Sequence, residues 1–167
     1  MLLGRRTDVL ATNRLARALL TDFDAMPAKE RNYARWMFLG EQARELLADW
    51  DVQARMAVEN LRLDAGRDPG DPATQALVGE LTIASPEFAH WWQEHRVFQR
   101  THGDKHFRHP VVGELTLQYE TLTMPGDPDQ ALFVFTAPAG SKDRQSLDLL
   151  ASWTLTTSTA AATGPER

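Results

Sequence analysis

The apolar residues of this chain change period once. Ala43, Leu46, Leu47, Trp50, Ala54, Ala57, Val58 and Leu61 recur at three- and four-residue intervals, whereas Leu115, Leu117 and Tyr119 alternate with Thr116, Gln118 and Glu120. The first spacing is the buried stripe of a helix and the second one face of a half-buried strand. A chain that carries both, in separate blocks, has to bury helix faces against a sheet. The expected class is therefore α+β: helices in the first two thirds, packed on a small antiparallel sheet. With 167 residues, no internal repeat and no long linker, one domain is expected.

Local signals divide the blocks. Leu2 to Thr12 reads as a short strand or hairpin, ahead of Asn13 as the N-cap of a helix over Arg14 to Asp22. A helix is expected from Lys29, with Tyr33, Trp36, Met37 and Gly40 on one side and Arg31, Asn32 and Arg35 at its edge or opposite. GRDPGDP at 66–72 ends the long stripe, because glycine and proline do not continue a helix. Asp71-Pro72 and Ser85-Pro86 each read as a cap followed by proline at the first helical position. The second of these opens a helix reaching about Gln99, with Phe88, Trp91, Trp92 and His95 on one face. THGDKHFRHP at 101–110 reads as a loop, on the strength of Gly103 and Pro110. A strand with a bulge or bend near Leu122 and Met124 follows. After a turn at PGDPD, the apolar run ALFVFTA at 131–137 is expected to pair with it as a central strand. A closing helix ends near Trp153, so that 1–153 form the domain and 154–167 a flexible tail.

Composition narrows the chemistry. The absence of cysteine excludes disulfides, thiolate nucleophiles and cysteine-ligated metals. A net charge of -5 is wrong for a domain that neutralises phosphates. No apolar run approaches the length of a membrane span, and the first residues lack the apolar core of a signal peptide, so a cytoplasmic protein without membrane partners is expected. His102, His106 and His109 have a spacing at which imidazoles could share a metal, but residues in a loop are not aimed together; solvated or locally bonded histidines are the commoner use. Ser85, Ser141, Ser146 and Ser152 lie in no recognisable nucleophile setting, and no phosphate-binding glycine loop is present, so catalytic and metal-binding residues are expected to be none. Trp36, Trp50, Trp91, Trp92, Phe38, Phe88, Phe98 and Phe107 suit either an ordinary core or the wall of an apolar cavity. Arg31, Asn32 and Arg35 suit either a solvated face or the grip on a ligand carboxylate.

The order of blocks carries a more specific signal. DVLATNRLARALLTDF, RNYARWMFL, a helix ending in ADW, LVGELTIASPEFAHWWQEHRV, KHFRHPVVGELTLQYETL and LLASW together resemble the C-terminal domain of MmyB-like transcription regulators, over about Leu3 to Trp153. The resemblance implies a PAS-like fold that binds a fatty acid or similar apolar small molecule and needs no other cofactor. It also implies an Xre-type helix-turn-helix domain preceding this one as the part that reads DNA, and the possibility of a homodimer. Asn13, Trp36, Phe88, Trp91, Trp92, Leu117, Tyr119 and Phe133 become candidates for the ligand's apolar surroundings, and Arg31, Asn32, Arg35 and His109 for its head group. The rival readings are a structural or dimerisation module with a plain aromatic core and, less favoured, a small hydrolase.

Overall fold

The computed structural model describes residues 1–95 and 101–162, with side chains through 154. It is α+β: seven α-helices among the described residues and one five-stranded antiparallel sheet. A short hairpin, β1 (Leu2–Leu3) and β2 (Val9–Ala11), comes first. Six helices follow: α1 (Arg14–Leu19), α2 (Tyr33–Leu39), α3 (Gln42–Leu46), α4 (Trp50–Arg67), α5 (Pro72–Ala84) and α6 (Pro86–Gln93). The remainder of the sheet is β3 (His102–His109), β4 (Gly113–Met124) and β5 (Asp127–Thr136), and α7 (Lys142–Ala162) closes the chain. The strand order β2-β1-β5-β4-β3 places ALFVFTA in the middle of the sheet, antiparallel to β4 as expected. The expected irregularity in β4 is a register shift between Thr123 and Met124.

The helix boundaries follow their caps. Asn13 accepts from the Ala16 N–H, Asp71 from those of Ala73 and Thr74, and Ser85 from that of Phe88. Asn32 accepts from the Arg35 N–H, so α2 begins at Tyr33, and the residues just before it form a separate 3₁₀ turn, Ala28–Glu30, where the sequence pattern had one helix from Lys29. The first helix stops at Leu19 and the aromatic helix at Gln93, each earlier than its apolar spacing implied. His95, just beyond, has φ 54°, a left-handed conformation incompatible with continuing the helix. Gln99, the expected end, and Phe98 lie outside the described residues. α7, by contrast, runs past Trp153 to Ala162.

The largest departure lies within 101–110, where His102–His109 form a strand and not a loop. Lys105, Phe107 and His109 point inward and alternate with exposed Asp104, His106 and Arg108. The period of two is there, but two of the three inward residues are polar types, so hydrophobicity does not reveal it. The alternation also separates the histidines: His102 and His106 share the solvent face, and His109 lies on the other. Among the described residues, no group of three or more His, Cys, Asp or Glu side chains is placed to hold a metal ion.

The helical layer lies against the inward face of the sheet. Leu115, Leu117 and Tyr119 of β4 and Phe107 of β3 join Ala54, Ala57, Val58 and Leu61 of α4 as buried residues. The start of α4 is tied to β3: the Ala48 N–H donates to the His106 carbonyl at 2.9 Å, and Leu47 bridges Phe107. α7 packs on α1 and β4, burying Leu147 and Leu150. Between β1 and β2 the chain turns through Arg6 and Thr7, both with positive φ, and the Arg6 N–H donates to Asp64 at 2.9 Å. That contact fastens the hairpin to the far end of α4. No described helix is long and apolar enough to cross a membrane.

Candidate ligand-binding cleft

A cleft enclosing about 100 Å³ lies between α4 and the inward face of the sheet. α4 contributes one line of residues, Gln53, Met56, Ala57, Asn60, Leu63, Asp64 and Arg67, at the spacing of a helix face. Opposite them the sheet contributes Lys105 of β3, Tyr119, Thr121 and Thr123 of β4, Ala131 and Phe133 of β5, and Leu3 of β1. Tyr33, Thr7, Gly4 and, from the start of β5, Pro128, Asp129 and Gln130 complete the wall. Alternation fixes this set: Thr121 lies opposite Phe133, Thr123 opposite Ala131, and Ala131 opposite Leu3, so all face the helix together.

The cleft is amphipathic. Its most unusual member is Lys105, only 5% exposed, whose Nζ donates to the Tyr33 hydroxyl at 3.1 Å. The ammonium also lies 5.4 Å from the ring centroids of Tyr33 and Tyr119 and 5.6 Å from that of Phe135. Among the described residues it forms no ion pair. The rings offset part of the cost of burying the charge. Tyr119 can lie across the strand because Gly103 opposes it; a Cβ there would come within 3.0 Å of the Tyr119 ring. At the other end, burial pushes the Asp64 carboxyl above its usual pKa, against the opposing pull of the Arg6 N–H and of Arg67 and Arg5.

Of the sequence candidates, Tyr119 and Phe133 line this cleft. Leu117 is fully buried in the adjoining core. Phe88, Trp91 and Trp92 are not part of the cleft wall. They belong to an aromatic cluster on the other side of α4, with Phe88 5.1 Å from Phe38 and stacked 5.5 Å from Trp92, and Trp91 5.9 Å from Trp50. Arginines from α3 and α4 cover it: Arg44 over Trp50, Arg55 over Trp91 and Arg62 over Trp92. Trp36 is packed between Phe23 and Tyr33 and donates from its indole to Gln42.

The polar candidates are held by the protein itself. Asn13 caps α1. Asn32 is 0% exposed: its Oδ1 accepts from the Arg35 N–H and the Thr7 hydroxyl, and its Nδ2 donates to the Arg6 carbonyl and Asp8. Those four bonds use the full capacity of an amide. Arg31 donates to the carbonyls of Asp24 and Met26, and Arg35 forms a double contact with Glu80. His109 joins β3 to α1, with its Nε2 2.9 Å from the Ala18 carbonyl and its Nδ1 accepting from the Val111 N–H. Sequence reasoning missed Lys105, Gln53, Met56 and Asn60. The first sat in a segment read as a loop, and the others lie beside the apolar stripe of α4 where polar residues ordinarily face water.

Two comparisons bear on this geometry. A family model described as the MmyB-like transcription regulator ligand binding domain matches residues 1–150. No curated protein matches the chain.

Proposed function

Because the chain belongs to the MmyB-like transcription regulator ligand-binding domains, we propose that it is a PAS-like sensor that holds a fatty acid or similar apolar small molecule between α4 and the sheet. The observation that carries this reading is the cleft itself, a space flanked by Met56, Ala57, Leu63, Leu3 and Phe133 beside the buried core. An apolar chain gains roughly 0.8 kcal/mol per buried methylene, so three enclosed methylenes would contribute about 2 kcal/mol. The enclosed volume of about 100 Å³ is below the roughly 150 Å³ that holds benzene in an engineered cavity. A long chain therefore extends through the mouth or moves α4 away from the sheet. Either would change how the domain presents itself to an attached helix-turn-helix domain, whose DNA affinity responds only if the ligand discriminates between two conformations or dimer arrangements. A non-enzymatic role is part of the proposal, in keeping with a family of regulator ligand-binding domains.

The test is a thermal-shift titration of lipid-stripped protein with saturated alkanoates from octanoate to hexadecanoate, together with solvent extraction of freshly purified protein. Stabilisation that increases with chain length is expected. A flat response across the series and an extract free of lipid would refute the proposal.

A further inference from the structure

We propose that Lys105 is a covalent attachment site, whose Nζ condenses with an apolar aldehyde that has entered the cleft and holds it as an imine. This rests on the cleft admitting an apolar chain. It adds a second ligand class and a bond that burial alone does not supply.

Lysine is a rare choice in this chain. Of its 18 lysine and arginine side chains, three are lysines: Lys29, Lys105 and Lys142. Lys29 and Lys142 are exposed, whereas Lys105 is buried. The ion pairs among the described residues are made by arginines and one histidine, never by Lys105. An arginine on this strand could supply the same charge. Only a primary amine condenses with a carbonyl.

The surroundings suit that chemistry. Nζ lies on the cleft wall at 3.1 Å from the Tyr33 hydroxyl, among the rings of Tyr33, Tyr119 and Phe135. All of these neighbours are neutral, so an ammonium there lacks a counter-ion, and condensation removes the charge whose burial is costly. Gln53 faces the same cleft from the first turn of α4, which the bond from the Ala48 N–H to the His106 carbonyl sets beside β3. It is 3% exposed, and among the described residues its Oε1 has no hydrogen-bond partner. Its Nε2 donates to Asp49 at 3.3 Å, which fixes the amide so that the oxygen is the atom left over. A buried acceptor of this kind calls for a donor. An aldehyde brings none on arrival but gains one as it reacts.

The step balances within the site. The free amine adds to the carbonyl carbon; a C–N bond forms, the π pair of the carbonyl moves to its oxygen, and one proton passes from nitrogen to that oxygen. The product is a carbinolamine, whose hydroxyl can donate to the Gln53 Oε1. Expulsion of that hydroxyl with a second proton from nitrogen releases water and leaves the C=N bond. The Tyr33 hydroxyl is both donor and acceptor and lies within hydrogen-bond distance of the nitrogen, so it can carry these protons. An ammonium first gives its extra proton to solvent. No oxidant or reductant is consumed. A ketone would bring a second carbon substituent among rings whose centroids lie 5.4–5.6 Å from Nζ, which favours the aldehyde.

The experiment treats the full chain with decanal in the presence of cyanoborohydride, which reduces an imine to a stable secondary amine, and follows each lysine by peptide mass after proteolysis. Lys29 and Lys142 are the internal references, so no variant is needed. A decyl group is expected on Lys105 about tenfold or more faster than on either exposed lysine, because the bound aldehyde is held beside the amine. Acetaldehyde, which has no chain to bury, should show no such preference. Labelling of Lys105 no faster than that of Lys29 and Lys142 overturns the assignment, and so does an equal preference with acetaldehyde. In both cases stabilisation by the alkanoate series leaves the cleft standing as an apolar site. Failure of the alkanoates to stabilise, together with no preference for Lys105, removes both readings.

Discussion

Replacing Asn32 by alanine tests whether the architecture beside the cleft rests on one buried amide. Asn32 caps α2 through the Arg35 N–H at 3.0 Å and reaches the Arg6 carbonyl at 2.7 Å and Asp8 at 2.9 Å. Loss of the cap costs about 1 kcal/mol. The Arg6 carbonyl, partly buried within the strained turn, then loses its amide partner, at about 1–3 kcal/mol. Together these give about 2–4 kcal/mol. For a chain of this size each kcal/mol lowers Tm by about 2–4 °C, so the expected fall is near 10 °C, measured by circular dichroism with urea unfolding as a second readout. Asn32→Asp separates the two contributions. It retains a cap acceptor but sets a carboxyl against Asp8, so it should be at least as unstable as the alanine variant at neutral pH. Burial and Asp8 both raise the pKa of the new carboxyl in the folded state. Its penalty therefore applies above that raised value and is relieved as pH falls through it. An alanine variant within about 1 kcal/mol of wild type, or an aspartate variant as stable as wild type at pH 7, would refute this reasoning.

Two further perturbations address stability elsewhere. The Thr74 hydroxyl, the N–H groups of Ala73 and Thr74, and Arg6 hold the Asp71 carboxyl at about 2, below its reference of 3.8. A depressed carboxyl stabilises above its unfolded pKa and loses that contribution as pH falls through the folded one, so Asp71→Asn should melt below wild type at pH 7 and converge with it between about pH 4 and pH 2, as followed by pH-dependent thermal melts. Phe88 is 0% exposed at the centre of the aromatic cluster; Phe88→Ala should cost about 3–5 kcal/mol in urea unfolding. Since Phe88 is outside the cleft wall, the folded variant should keep the wild-type thermal-shift response to the alkanoate series.

The sequence by itself determined the elements whose burial is written in apolar residues. The stripe from Ala43 to Leu61, the alternation from Leu115 to Tyr119, the run ALFVFTA and the caps at Asn13, Asp71 and Ser85 each name an element because local backbone geometry converts spacing directly into a face. The ordered blocks likewise carried the family. Only the tertiary structure decided β3, since strand pairing with β4 overrides the polarity of Lys105 and His109. It also decided where the aromatic residues sit: Phe88, Trp91 and Trp92, which the resemblance made candidates for the pocket wall, form a packed cluster against α4 and its arginines. The polar residues separate for the same reason. Asn32 and His109 are consumed by backbone groups distant in sequence, while Lys105 is buried with donors to spare. Periodicity tells which side of an element is covered; whether a covered polar group already has a partner depends on contacts that only the assembled fold brings together.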